Sequence, residues 1–322
     1  MTTVVRAEGK ILKRILERDY AIENAGLSRH AYTQFDAALM KTTWGQHHER
    51  RFALVEGAEL LASAKRYRLA GTLDQHPVRV CGIGCVVTDS MHDGCGHGQV
   101  LVERLLDQAA HDRWDLAILF SAMDPGWCER NGFERLPATE VELGVAQSPR
   151  HGAPMTLVRG GEERDLAAVV AMGQVRANPF RFHLDRDVDF VQYAITKKRL
   201  LAGLGPARER QLHFFIAEEG ITAAAYVVVT IGGDRWTIEE CGDRDSSGAR
   251  VGAILQALIA RQPAERRPTI RGWLPPGFVP PQVTIVSAKP GRNVIMLRAL
   301  GATAVRPQLS AGDVLYWHSD IL

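Results

Sequence analysis

The sequence predicts an α+β protein built in two consecutive halves, and three observations carry that prediction. Apolar residues alternate from 51 to 88 as in successive antiparallel strands. A glycine-rich loop is followed directly by an amphipathic helix and a buried strand, between 94 and 122. Hydrophobic periodicity then lapses in GVAQSPRHGAP (144–154), a linker composition, and a similar alternation of strand and helix restarts beyond it. The expected domains are therefore 1–145 and 154–322, and 322 residues are ample for two cores. Lys and Arg total 39 against 37 Asp and Glu, a formal charge of +2. That balance gives no global electrostatic drive toward nucleic acid or an anionic membrane, so recognition must be local.

Taken in order, KILKRILERDY and HAYTQFDAALMK have helical spacing, with Gly26, Leu27 and Ser28 as break and cap. RFALVEGAELLASAKRYRLA (51–70) reads as two strands joined at Glu56 and Gly57, and PVRVCGIGCVVT (77–88) as another. After the loop, Leu101, Leu105 and Ala109 form one helical stripe with Val102 and Leu106 beside it. LAILFSA (116–122) is a buried strand, DPGWCERN a short helical turn and FERLP the entry to a further strand. In the second half MTLVRGGEERDLAAVVAMG is strand, turn and helix; AAAYVVVT and RWTIEEC are strands; GARVGAILQALIARQ is a helix. TIRGWLPPGFVPPQ is a proline-punctuated loop, and NVIMLRALGATAV (293–305) is expected to be a helix closed at Gly301 that runs into a strand. The parallel between the halves suggests a diverged internal duplication.

The first twenty residues lack the apolar core of a signal peptide, and the longest apolar stretch, ITAAAYVVVTI (221–231), is too short to span a bilayer. Five cysteines without a C-x-x-C pair fit free thiols in a reducing compartment, so a cytoplasmic protein is expected.

The loop D-G-C-G-H-G places Gly94, Gly96 and Gly98 at alternate positions before a helix N-terminus. Such backbone approaches a ligand closely and converges its N–H groups on an anion, which suits a phosphate. No G-K-[ST] follows, and G-x-G-x-G is not the dinucleotide fingerprint. With its flanks, the loop resembles the core motif of the GCN5-related N-acetyltransferases, [RQ]-x-x-G-x-[GA], on Asp93 to Gly98. Their later signature (an aromatic, Tyr, Glu, a basic residue, any residue, Gly, Phe) falls on Trp127, Cys128, Glu129, Arg130, Asn131, Gly132 and Phe133.

The resemblance implies two tandem domains of the acyl-CoA N-acyltransferase type, each a mixed, mostly antiparallel sheet flanked by helices. It also implies acetyl-CoA as co-substrate and transfer of its acetyl group to a primary amine of a small molecule or amino acid. The pyrophosphate would rest on Gly94, Cys95, Gly96, His97 and Gly98, with Asp93 at the loop entrance. The pantetheine would pair with Val86, Val87 and Thr88, with Ser121 and Trp127 alongside. LFSAMDPGWCERNGF faintly resembles fungal lysine acetyltransferases and their bacterial relatives, which leaves a lysine-like amine as one acceptor among several. The counterpart loop GDRDSSGARVG (242–252) lacks the repeated G-x-G, so the second domain is expected to be a degenerate copy that holds no cofactor.

Two residues depart from the pattern. Asp93 stands where Arg or Gln is usual; a carboxylate ~4 Å from phosphate costs about 4 kcal/mol at an effective dielectric near 20, unless its side chain turns onto nearby backbone N–H groups. Cys128 stands where many relatives have the Tyr that returns a proton to the thiolate, and can serve as that acid, as an acetyl acceptor, or as a small buried apolar residue. Candidate bases are His47, His48 and Glu56, each also readable as solvated surface, and Trp44 is a candidate wall of the acceptor pocket. Cys81, Cys85, His92, Cys95 and His97 match no standard zinc spacing, and no metal is expected. The rival function is a non-catalytic acyl-CoA-binding or regulatory protein; homo-oligomerisation is compatible with either.

Overall fold

The computed structural model describes residues 1–89, 91, 94–121, 125–136, 138–146, 157–207, 209–263, 265, 267–291, 294–301 and 308–321. The first half contains β1 (Thr2–Arg6), α1 (Gly9–Glu23), α2 (Arg29–Leu39), α3 (Thr43–His48), β2 (Glu49–Glu56), β3 (Glu59–Leu73), β4 (His76–Thr88), α4 (His97–His111), β5 (Leu116–Ser121), α5 (Pro125–Arg130) and β6 (Glu134–Leu136). Then come β7 (Thr139–Val145), β8 (Leu157–Gly160), α6 (Leu166–Ala177), β9 (Phe182–Leu184), α7 (Val188–Leu204), β10 (Gln211–Glu219), β11 (Thr222–Gly232), β12 (Arg235–Asp243) and α8 (Ala249–Ala260). The last strands are β13 (Thr269–Gly272), β14 (Val283–Pro290), β15 (Val294–Ala299) and β16 (Val314–Leu315).

The chain divides into two compact units that are not its two halves. One comprises Met1–Pro137 with Arg292–Ala311, the other Ala138–Gly291 with Gly312–Ile321. In the first unit the strand order runs β1-β2-β3-β4-β5-β15-β6, and in the second β14-β7-β13-β12-β11-β10-β8. Read from β1 and from β8, the two orders match, with β4–β5 and β12–β13 the parallel pairs of the two series and the remaining neighbours antiparallel. Both sheets are thus mixed, mostly antiparallel and helix-flanked. The contiguous cut at 145 and 154 differs from this division because β7 lies in the second sheet and β15 in the first. Of the expected linker, residues 144 and 145 end β7, and 147–154 lie outside the described residues.

The expected helix in NVIMLRALGATAV is corrected to strand β15. Val294–Ala299 pairs antiparallel with Ser121–Leu116 on one side, and Ile295–Leu297 with Leu136–Glu134 on the other. Met, Leu, Arg and Ala are good helix formers, but both ladders claim the backbone, and Ile295, Met296 and Leu297 are buried on both faces of the sheet. The expected loop TIRGWLPPGFVPPQ is corrected at its start to strand β13, Thr269–Gly272, which pairs with β12 and β7; periodicity assigns none of β1, α3, β9, α7, β10, β14 and β16.

In the first unit, Leu101, Val102, Leu105, Leu106 and Ala109 of α4 pack on Leu61, Ala62, Ala64, Cys81, Ile83, Ala117 and Leu119. Each fully buried leucine contributes roughly 1.5–3 kcal/mol. On the other face Ile15 of α1 packs with Ala53 and Leu60. Ser28 caps α2 by accepting from the Ala31 N–H at 3.2 Å, as its position after the glycine break predicts.

Beside that apolar contact lies a buried ionic network. Arg51 donates to Asp19 at 3.0 Å and to Asp36 at 2.8 Å. Lys65 pairs with Glu49 and, at 3.7 Å, with Asp36, while Arg18 donates to Asp19 and to Ser63. Burial pushes the Asp36 carboxyl up, but Lys65 and Arg51 outweigh it and hold the group below its ordinary value. In the second unit the hydrogen bonds from Arg159 hold Asp165 low as well. Depressed carboxylates stabilise the fold above their unfolded pKa and lose that contribution as pH falls through the folded value; Asp19, raised by burial, has the opposite sign. Glu56, Glu219, Glu239 and Asp245 are held low as well, and Asp320 is raised by burial. With six low groups against two high, stability is expected to drop below about pH 4, read as a lower urea midpoint at pH 3 than at pH 5.

Candidate active site

The parallel ladder between β4 and β5 joins Val80–Ile83 to Leu116–Leu119 and ends at the Ile83–Leu119 pair. Beyond it each strand follows its outer neighbour: β4 continues with β3 to Thr88↔Ala62, and β5 with β15 to Ser121↔Val294. A one-residue bulge marks the parting, since Lys65 faces Gly84 while Ser63 faces Val87. Cys85, within the bulge, takes φ 48°, a left-handed conformation uncommon outside glycine. The sheet therefore opens as a V between 84–88 and 120–121.

Helix α4 starts beyond the end of β4. Its N-cap Gly96 has φ 77° and no side chain to cap the first turn, and Gly94 has φ 78°. The first-turn N–H groups have no intrahelical acceptor by construction and carry the positive end of the helix dipole. Gly98 answers a different need. A Cβ there would lie 2.9 Å from Thr88 Oγ1 and 3.5 Å from Val86 Cγ1, so its absence lets α4 press against β4. Gly98→Val is expected to cost about 1–3 kcal/mol through overpacking, read as a lower urea midpoint.

The cofactor side of the sequence reading comes together here. Gly94, Cys95 and Gly96 are exposed at the helix start, His97 is half-buried in its first turn, and Val86 and Thr88 face Gly98 while Val87 is buried. Trp127 packs against the α4 core, and Ser121 ends β5 opposite Val294. Asp93 and His92 lie outside the described residues.

The catalytic candidates do not assemble. Cys128 is a member of the α4 core at 4% exposure, the setting of the small buried apolar residue that stood beside its two catalytic readings. Glu56 accepts from the Met1 ammonium at 2.6 Å, and that hydrogen bond holds its carboxyl below its ordinary value, the wrong direction for a base. His48 stacks on Trp44 at 5.0 Å, and its Nδ1 lies 2.8 Å from the Arg68 carbonyl oxygen. Arg68 pairs with Cys81, where β4 is still joined to β5. His47 is exposed, with Nδ1 2.8 Å from the Thr43 carbonyl oxygen. Trp44 is buried between His48 and Tyr67. Among the described residues no group of three metal-ligating side chains forms, and burial raises the Cys81 thiol to about 12.

In the second unit the same features recur with a different occupant. The ladder of β12 with β13 ends at Ile238↔Gly272, and Glu239 forms a bulge against β11. Helix α8 again has a left-handed glycine N-cap, Gly248, without a side-chain cap. Here Asp243, the last residue of β12, sits on the helix start. Its Oδ2 accepts from the Arg250 N–H at 2.9 Å and the Val251 N–H at 3.4 Å, and its Oδ1 from Arg250 Nη1 at 3.1 Å. Phe278 closes on Gly248, whose Cβ would meet that ring at 2.6 Å, and Gln282 donates to the Ala249 carbonyl oxygen at 3.1 Å. Glu240 is buried with Arg186 and Ser319, each at 2.5 Å. Composition of the 242–252 loop hinted at the loss of the cradle, but its occupation by Asp243 is visible only in three dimensions.

This doubled arrangement of bulged strand, split parallel pair and glycine-capped helix is the fold of the GCN5-related N-acetyltransferases. A structure of that description from Kribbella flavida superposes with a TM-score of 0.69 at 18% identity, covering 94% of this chain and 72% of that one. Another from Anabaena variabilis gives 0.68 at 11% identity over 92% and 72%. Eis1 from Mycobacterium abscessus gives 0.61 at 13% identity over 93% and 73%. No family model and no curated protein matches the chain by sequence, and at these identities the likeness is one of fold. Among the described residues no helix is long and apolar enough to cross a membrane.

Proposed function

We propose that the chain is an acetyl-CoA-dependent N-acetyltransferase that acylates a primary amine of a small molecule or amino acid, with its cofactor site in the first unit. The observation that carries this reading is the opening of β4 from β5 at the Cys85 bulge, directed at a helix start whose N-cap, Gly96, has no side chain to cap the first turn. In this geometry 84–88 offers main-chain groups to a pantetheine as an added strand, a mode indifferent to side-chain identity. The amides of the α4 start take the diphosphate, each contact of this kind being worth roughly 0.3–1 kcal/mol and more when partly buried. A β4 amide at the bulge would polarise the thioester carbonyl, and loss of such a donor costs on the order of 100- to 1,000-fold in rate.

The near-neutral charge favours a small acceptor over nucleic acid, and a cytoplasmic location suits the free thiols. Asp243 at the start of α8 supports a cofactor-free second unit. Calorimetry with coenzyme A is expected to give one site per chain, and a thiol-release assay with acetyl-CoA and a panel of primary amines is expected to show turnover. Binding without turnover on any amine would favour the acyl-CoA-binding protein; no heat at millimolar coenzyme A would end both readings.

A further inference from the structure

Glu23, the last residue of α1, points its Oε2 at the Cys85 thiol, 3.8 Å from Sγ, on the sheet face opposite α4. Every fully buried carboxylate on that face already has its cation: Asp19 has Arg51 and Arg18, Asp36 has Arg51 and Lys65, and Glu49 has Lys65. Glu23 differs. It is half-buried, and among the described residues its only partner is a weak S–H donor and no cation pairs with it. A carboxylate with accepting capacity to spare thus stands one side chain away from the bulge where β4 leaves β5.

We propose that Glu23 is the acceptor-site carboxylate, holding the substrate ammonium beside the bulge and taking its proton. The assignment rests on the acetyltransferase reading of the same V-shaped opening. The step balances: R–NH3⁺ passes one proton to the Glu23 carboxylate, and the free nitrogen lone pair attacks the thioester carbonyl carbon, forming C–N. The C–S bond breaks with its electron pair on sulfur. The second nitrogen proton ends on that sulfur, and Glu23 returns its own to water. Binding through one carboxylate selects cationic primary amines over neutral or anionic acceptors.

Glu23→Gln keeps shape and removes the charge. With L-lysine, putrescine and benzylamine as probes, calorimetry on the full chain is expected to show amine binding weakened about tenfold or more. The coenzyme A dissociation constant should change less than twofold, which also reports an intact fold. Where the wild type turns over, kcat is expected to fall about 100-fold, within the usual range for a lost general base, and formate should restore part of the rate to Glu23→Ala. Amine affinity unchanged in Glu23→Gln, or kcat within threefold of wild type, would overturn the assignment. A wild type that binds amines through Glu23 but releases no thiol would instead overturn the acetyltransferase reading and leave this carboxylate site standing.

Discussion

Thr88→Asp is expected to weaken coenzyme A binding by about 100-fold or more. Thr88 and Asp243 are equivalent: each ends its bulged strand, and the next amide returns to the neighbouring strand, Asp89 N–H to Leu61 at 2.9 Å and Arg244 N–H to Ala224 at 3.0 Å. In the second unit that position supplies the carboxylate that accepts from the first turn of α8. Transplanted to the first unit, it would satisfy the α4 amides internally and repel the diphosphate, a repulsion of about 4 kcal/mol at ~4 Å and an effective dielectric near 20, less where water screens it. Each 1.4 kcal/mol is tenfold in affinity, so a 100-fold loss takes about 2.8 kcal/mol, some two thirds of that figure. The fold should gain slightly, by ~0.3–1 kcal/mol, because a negative charge suits a helix N-terminus. Thr88→Val, which keeps the shape without the charge, is expected to change affinity less than threefold. Wild-type affinity in Thr88→Asp would remove the α4 start from the cofactor site. Asp243→Thr is expected to leave the stoichiometry at one, since Phe278 and Gln282 still crowd the α8 start.

The largest loss of stability is expected from Arg51→Met. Its guanidinium bridges Asp19 and Asp36, and all three side chains are almost inaccessible to water. Among the described residues Asp19 would keep Arg18 and the Ser63 hydroxyl, and Asp36 would keep Lys65 at 3.7 Å. Stripping one partner from a buried ion network typically costs about 3–5 kcal/mol, because the remaining charge keeps its desolvation penalty without compensation. For a unit of this size that corresponds to roughly 10 °C in the thermal midpoint. The double variant Arg51→Met with Asp36→Leu should recover more than half of the loss, a coupling that a packing defect at Arg51 alone would not show. A midpoint within 2 °C of wild type in Arg51→Met would mean that water reaches the network.

Much of the proposed cofactor side was legible from residues because its determinants are local. Positive φ at Gly94 and Gly96 favours glycine, and the stripe of Leu101, Leu105 and Ala109 requires a buried helix face. The proposed acceptor side was not legible. Glu23 lies at the end of an ordinary amphipathic helix, and no spacing along the chain links it to Cys85; only the packing of α1 over β3 and β4 brings the two together. Glu56 and His48 looked free because their partners, the Met1 ammonium and the Arg68 carbonyl, are distant in sequence.

The sequence by itself determined the α+β class, the β2–β3 hairpin turn, the glycine-capped α4 and the doubled architecture, all of which depend on short-range periodicity and backbone sterics. Only the tertiary structure decided that β15 is a strand, that β7 and β15 lie in sheets outside their own halves of the chain, and that Asp243 occupies the second helix start. Those outcomes depend on long-range pairing, in which backbone hydrogen bonds and burial on both faces override local preference.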